Sequence, residues 1–227
     1  MKPTLLILRP EPGNSATAAR AAALGWGTIQ APLFTVSPIP WSAPDPRAFD
    51  AVMLTSANAA RLGAAALARF TYLPLYAVGR ATAEAARQTG FSDIRCGSSD
   101  AEALIAQAAA DGITSILHLA GREHRPAPSG GIMIDHRIVY AAEPADRLPD
   151  QVQSALGKGA VALLHSPRAA ALFADLLGDA GIPCANVRIA AISPAALAAA
   201  GTGWQASIAA PAPDDEALLA AAARLCN

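Results

Sequence analysis

Residues 50–61 read DAVMLTSANAAR, an apolar run that stops in small hydroxyl residues and then becomes an alanine-rich stretch. A run of about five residues built on Val, Met and Leu has the length and composition of a strand buried on both faces of a parallel sheet. A helix that starts at once after such a strand leaves its first N–H groups unpaired at the carboxyl edge of the sheet, where anions are readily held. The plan recurs at residues 159–177, GAVALLHSPRAAALFADLL, with Ser56 falling on Ser166 and Ala60 on Ala170, an offset of 110 residues (56 to 166). A second echo follows each copy, LYAVGRATAEAARQTGF at 75–91 and VRIAAISPAALAAAGTGW at 187–204. Two similar half-molecules follow. Ser56, Asn58, Ser166 and, more weakly, Thr82 and Ser193 are residue types that cap helices, so capping stands beside ligand contact as the reading of each.

The chain of 227 residues suits two domains of about 100 residues or one large one, and the repeat favours two. With 53% hydrophobic and only 15% charged residues it reads as a compact α/β protein rather than a disordered one. A formal net charge of −1 supplies no basic field for nucleic acid or an anionic membrane, so an anionic ligand has to be held by local donors. The opening MKPTLLILRP is too short in its apolar run for a signal peptide or a membrane span, and Arg9 closes it, which predicts a cytoplasmic protein. Cys96, Cys184 and Cys226 are odd in number and widely spaced, against a disulfide framework or a structural zinc site. His118, His124, His136 and His165 lack the H-x-x-x-H and H-E-x-x-H spacings, so no metal site is expected.

Taken in order, a strand is expected over residues 5–8, a helix over 16–24 and a strand over 28–34, after which four prolines in 35–46 forbid a regular helix and mark a domain boundary. The next domain reads as strand 50–54, helix 58–69, strand 75–78, helix 82–89, a short strand from Ile94, helix 101–110 capped through Asp100, strand 115–119 and strand 132–140. Pro144 and Pro149 mark the return connector. The second copy then gives strand 161–164, helix 168–177, strand 187–192, helix 195–200, strand 205–209 and helix 216–225. The first 34 residues hold too few strands for a sheet of their own and must join the C-terminal half. The result is a discontinuous domain, 1–36 plus 143–227, into which a second, 37–142, is inserted. The fold class is α/β, two similar domains, each a parallel sheet flanked by helices, joined by two crossing strands with a cleft between.

LLILRP at 5–10, LTSANAA at 54–60, YAVGRATAEAARQTGF at 76–91, LHLAGRE at 117–123, IVY at 138–140, LLHSPRAAALF at 163–173 and AISPAA at 191–196 stand in an order that resembles the uroporphyrinogen-III synthase family over nearly the full chain. The resemblance implies a cofactor-independent cyclising hydro-lyase. It would close hydroxymethylbilane, a linear tetrapyrrole bearing acetate and propionate groups, with inversion of ring D and loss of water, through a positive azafulvene and a spiro intermediate. It further implies a monomer in transient contact with hydroxymethylbilane synthase, with neither nucleic acid nor membrane as partner. Because the unguided substrate cyclises without inversion, such an enzyme chiefly holds one conformer. Backbone donors at strand ends can hold the polyanion. Thr55, Ser56, Ala57, Asn58, Gly79, Arg80, Thr82, Gly121 and Arg122 would be the inserted domain's substrate-binding set, and Ser166, Pro167, Arg168, Ser193 and Pro194 the other domain's. Tyr140 would be the catalytic phenol assisting departure of the hydroxyl. Family members often carry G-P-T-T-A where this chain reads Ser193-Pro194-Ala195-Ala196-Leu197, so no hydroxyl role carries over to Ala196.

A two-domain small-molecule binding or sensor protein without catalysis is the alternative from another class. A nucleotide-dependent enzyme ranks third, since no G-x-G-x-x-G follows a predicted strand and no G-x-x-x-x-G-K-[ST] occurs.

Overall fold

The computed structural model describes residues 3–97, 101–124 and 129–226. In chain order its elements are β1 (Leu5–Ile7), α1 (Gly13–Ala23), β2 (Thr28–Gln30), β3 (Phe34–Pro38), β4 (Ala51–Leu54), α2 (Ala57–Leu62), α3 (Ala64–Leu67), β5 (Leu75–Val78), α4 (Arg80–Gln88), β6 (Ile94–Gly97) and α5 (Ala101–Ala110). There follow β7 (Ser115–Gly121), β8 (Met133–Pro144), α6 (Asp150–Gly157), β9 (Val161–Leu164), α7 (Pro167–Asp179), β10 (Arg188–Ala191), α8 (Pro194–Ala199), β11 (Ala206–Ala209) and α9 (Asp215–Arg224). The chain divides into two compact units, residues 1–35 with 143–227 and residues 36–142.

The first unit holds a sheet of order β11-β10-β9-β1-β2, parallel at each of its pairings. Its central strands β1 and β9 are fully buried, Leu5, Leu6, Ile7 and Leu8 against Val161, Ala162, Leu163 and Leu164, as continuous apolar runs between two helical layers require. Each such leucine or isoleucine contributes about 2 kcal/mol on burial. The alanine faces of α1 and α9 lie over one side of the sheet, where Ala18, Ala21, Ala221 and Ala222 are buried with Trp26, Leu218 and Leu219.

The inserted unit holds the sheet β3-β8-β7-β4-β5-β6, with β8-β7-β4-β5-β6 parallel in turn. One face packs Val52, Leu54, Leu75, Ala77, Leu117, Leu119 and Val139 against Ala59, Ala60, Ala83, Ala86 and Phe70. The other packs Ala51, Met53, Tyr76 and Ile116 against Leu104, Ile105 and Ala108 of α5. The chain passes between units within β3 and β8.

Several boundaries differ from expectation for identifiable reasons. The single strand expected over 28–34 is two: hydrogen bonds to the β1 segment run on past Pro32, from Ala31 N to Ile7 O at 3.0 Å and from Leu33 N to Leu8 O at 2.9 Å, and from Phe34 the chain enters β3 of the other sheet. Residues 35–38, where the prolines forbid a helix and a crossing strand is expected, belong to β3. The helix expected over 58–69 breaks at Gly63 into α2, α3 and a 3-10 turn, Ala68–Phe70. Gly63 is buried against β7, and a Cβ there would lie 2.8 Å from Ala59 O and 3.3 Å from the Leu119 side chain. Helix α1 begins three residues earlier than expected, at Gly13 rather than Ala16, held by buried Asn14, whose Nδ2 donates to Ile7 O at 2.9 Å and Arg9 O at 2.8 Å. The cap expected at Asp100 lies outside the described residues.

Candidate functional site

The sequence-predicted residues of the inserted unit follow the carboxyl ends of three neighbouring strands, β7, β4 and β5. After β4, Thr55 leads into Ser56, which caps α2: its Oγ accepts from Asn58 N at 3.2 Å. Asn58 itself is therefore the capped residue, not a cap. After β5, Gly79 caps α4 with φ +76 and no side-chain bond, a left-handed conformation that favours glycine. Thr82 does not cap either, being buried inside α4. Gly79 and the exposed Arg80 line a cavity of about 670 Å³ with Ala83, Glu84, Arg87, Cys96 and Gly97.

β7 ends at the buried Gly121, and the exposed Arg122 follows. The β7–β8 register pairs Ala120 with Ile138 but Gly121 with Tyr140, so Val139 is an extra residue in a bulge. Counting alternate residues, the bulge turns Tyr140 onto the face that carries Val139 and Leu119, and its half-buried ring packs against that core. The ring lies directly over Gly121: a Cβ there would stand 2.6 Å from Cζ and 2.8 Å from the phenolic oxygen. Arg122 N donates to Tyr140 O at 3.0 Å, tying the two candidates through the backbone.

On the opposite face the same strands carry a histidine cluster that no sequence spacing announces. Met53, His118 and His136 are register partners across β4, β7 and β8, and Thr55 is two residues beyond Met53, so Thr55, His118 and His136 share that face. His118 Nε2 lies 3.2 Å from Thr55 Oγ1, and His118 Nδ1 lies 3.0 Å from His136 Nδ1. His124 completes the group, its Nδ1 donating to Gly121 O at 3.2 Å and its ring stacked on His136 at 5.2 Å. Burial of His118 pushes its pKa down to about 3, helped by the neighbouring His136 and His124, and burial lowers His136 as well. The buried His118 is therefore neutral at pH 7, and so is His136. Among the described residues no group of three or more His, Cys, Asp or Glu side chains is placed to hold a metal ion.

In the first unit, Ser166 caps α7 by accepting from Ala169 N at 3.1 Å, with Pro167 at the first helical position. The exposed Arg168 lies over the Phe34 ring, 4.4 Å from its centroid. Ser193 caps α8 by accepting from Ala196 N at 3.2 Å, with Pro194 next. Ala196, where the family pattern has a threonine, is fully buried. The capping hydroxyls are thus occupied locally, each by a backbone N–H of its own helix.

A carboxylate network in this unit escapes any reading of the sequence. Asp215, at the start of α9, meets Arg9 Nη1 at 3.1 Å, Arg20 Nη1 at 2.7 Å, the Thr17 hydroxyl at 2.8 Å and, more distantly, His165 Nε2 at 3.4 Å. Burial opposes its ionisation, but His165, Thr17 and the Arg9 charge more than offset this and hold its carboxyl well below the usual range.

The family model described as uroporphyrinogen-III synthase HemD matches residues 15–220. Among solved structures, uroporphyrinogen-III synthetase from Helicobacter pylori is 21% identical, covers 99% of this chain and 100% of its own, and superposes with a TM-score of 0.67. A mutant uroporphyrinogen III synthase from Thermus thermophilus is 13% identical over 99% of this chain and 98% of its own, with a TM-score of 0.54. At these identities the structural likeness concerns the fold. No curated protein gives a significant sequence match.

Proposed function

The chain belongs to the uroporphyrinogen-III synthase HemD family, cyclising lyases of tetrapyrrole biosynthesis, and from that premise we propose that it holds one folded conformer of hydroxymethylbilane on strand-end donors while ring D inverts and water is lost. The family match across residues 15–220 carries this reading, and the alternative of a binding or sensor protein is not favoured by it. The substrate is a polyanion and the protein has a net charge of −1, so its carboxylates must meet local donors rather than a basic field. Backbone N–H groups in the first turns after β4, β5, β9 and β10 are such donors, with Arg80, Arg122 and Arg168 adding charge beside the strand ends.

In this reading Thr55, Ser56, Ala57 and Asn58 form one carboxylate cradle, and Gly79, Arg80 and Thr82 a second in which Thr82 contributes backbone only. Gly121 with Arg122 forms a third through the guanidinium, since Arg122 N is taken by Tyr140 O, and Ser166, Pro167, Arg168, Ser193 and Pro194 are the first unit's share. The proline nitrogens have no proton to give; they preset the helical first turn so that the next N–H groups point outward. Tyr140 gives its phenolic proton to the departing hydroxyl, which leaves as water, and Gly121 sets where that phenol lies. Conformational control then rests on the carboxylate contacts, and the phenol accelerates only the first step.

Transient contact with hydroxymethylbilane synthase, a monomeric state and a cytoplasmic location complete the reading; no helix among the described residues is long and apolar enough to cross a membrane. Incubating the protein with hydroxymethylbilane and separating the product isomers tests the proposal. Uroporphyrinogen III in excess over the uninverted isomer is expected, whereas the uninverted isomer alone, formed at the spontaneous rate, would refute it.

A further inference from the structure

The polar row that runs from Thr55, at the carboxyl end of β4, across His118 of β7 to His136 of β8 has no part in the chemistry above except at Thr55. His118 in its middle is only 3% exposed, so no water can stand in for a missing partner. Both of its nitrogens are engaged, Nε2 with Thr55 Oγ1 at 3.2 Å and Nδ1 with His136 Nδ1 at 3.0 Å. A neutral imidazole has one donor and one acceptor, so these two contacts cannot be set independently. If Nε2 carries the proton, it donates to Thr55 Oγ1, and His136 Nδ1–H donates to His118. The Thr55 hydroxyl proton is then free to point outward. If Nδ1 carries the proton, Thr55 donates inward and offers a ligand only an oxygen lone pair. His124, fixed to Gly121 O at 3.2 Å and stacked on His136, holds the far end of the row in place.

We propose that His118 is a positioning residue for substrate binding: carrying its proton on Nε2 and held so by His136, it turns the Thr55 hydroxyl outward as a donor to a carboxylate of the tetrapyrrole. The inference rests on the reading that Thr55 meets the substrate. A carboxylate has lone pairs but no proton, so it selects the outward-donating arrangement, and the histidines relay that selection without changing charge. Sequence spacing could not show this row, because residues 118 and 136 meet only through the parallel register of β7 and β8.

The test pairs kinetics on hydroxymethylbilane with ¹⁵N NMR of the histidine rings in the complex with uroporphyrinogen III. Thr55→Val is expected to lower kcat/KM about tenfold, the value of one hydrogen bond to a charged group, chiefly through KM. His118→Leu is expected to do the same, and the double variant to fall no further than either single one. His118→Gln, whose amide nitrogen reaches the place of Nε2, is expected to recover most of the loss. In the wild-type complex the His118 proton is expected on Nε2. A folded His118→Leu with unchanged kcat/KM, beside an impaired Thr55→Val, overturns the role of His118 and leaves the Thr55 reading standing; an unchanged Thr55→Val overturns both. Should His118→Leu not fold, the Gln variant and the ring tautomer decide, and a proton on Nδ1 in the complex refutes the proposal.

Discussion

Thr55 and His165 occupy one place in two copies of a single plan, and their partners reverse. Leu54-Thr55-Ser56 corresponds to Leu164-His165-Ser166, and across the neighbouring strand Met53 pairs with His118 where Leu163 pairs with Ile7. In the inserted unit the edge residue is a hydroxyl supported by a buried neutral histidine one strand away. In the other it is the histidine itself, drawn against the ionised Asp215 amid Arg9, Arg20 and Thr17. The same strand ends are thus finished in two ways. The first unit closes its edge with a buried, charge-compensated network, which is costly to disrupt. In the inserted unit the groups beside Thr55 on that face, His118 and His136, are neutral, and its charges at the strand ends, Arg80 and Arg122, follow β5 and β7.

The largest effect should come from breaking the charged side. Asp215→Asn leaves Arg9 and His165 without their anion, and chemical denaturation should show a loss of about 2–3 kcal/mol, below the usual figure for a buried pair because the Arg20 guanidinium is largely solvated. The product isomer should not change. A shift toward the uninverted isomer with stability intact would erase the contrast between the units.

On the neutral side, Tyr140→Phe should slow turnover roughly tenfold to a hundredfold, since the electron-rich pyrrole already expels the hydroxyl and a positioned acid adds the lower end of its usual range. It should still give the inverted isomer. Unchanged turnover would return the ring to packing alone, and a slow variant yielding mostly the uninverted isomer would show that the phenol orients ring D. Gly121→Ala should slow turnover by about tenfold or less and cost about 1–2 kcal/mol of stability, because its Cβ would overlap the Tyr140 ring and displace it.

Acid separates the two edges more gently. His118 has a folded pKa of about 3 against an ordinary 6.5, so the unfolded chain binds its proton more readily and stability falls as pH drops from about 6.5 toward 3. Asp215, held below its ordinary 3.8, keeps its contribution until pH falls beneath that value. Hydrogen exchange between pH 7 and 4.5, corrected for intrinsic rates, should therefore show protection declining first in residues 115–121 and 133–140. An equal or earlier decline around residues 161–165 would contradict the contrast.

The parallel architecture was legible because its strands are uninterrupted apolar runs and because the plan occurs twice, and a count of strands sends the N-terminal piece to the C-terminal half. The strand-end serines were legible as caps, and Ser56, Ser166 and Ser193 do cap. The break at Gly63 was not, since an alanine-rich stretch favours continuing the helix and the crowding of Gly63 by Ala59 O and the Leu119 side chain exists only in the folded chain. Neither polar network was legible: residues 9, 20, 165 and 215 meet through tertiary packing, and His118, His124 and His136 through strand register and a turn. Tyr140 could be nominated by resemblance, but the bulge that turns its ring over Gly121 depends on one unpaired residue in β8, which periodicity does not reveal.

If backbone N–H groups at the carboxyl ends of both sheets hold the tetrapyrrole's carboxylates, amide hydrogen exchange reads those groups directly. Uroporphyrinogen III added anaerobically should slow exchange at residues 55–58 and 79–82 of the inserted unit and at 166, 168–169, 193 and 195–197 of the other, leaving the amino edges of both sheets unchanged. Protection confined to one unit, or falling at the amino edges instead, would contradict it.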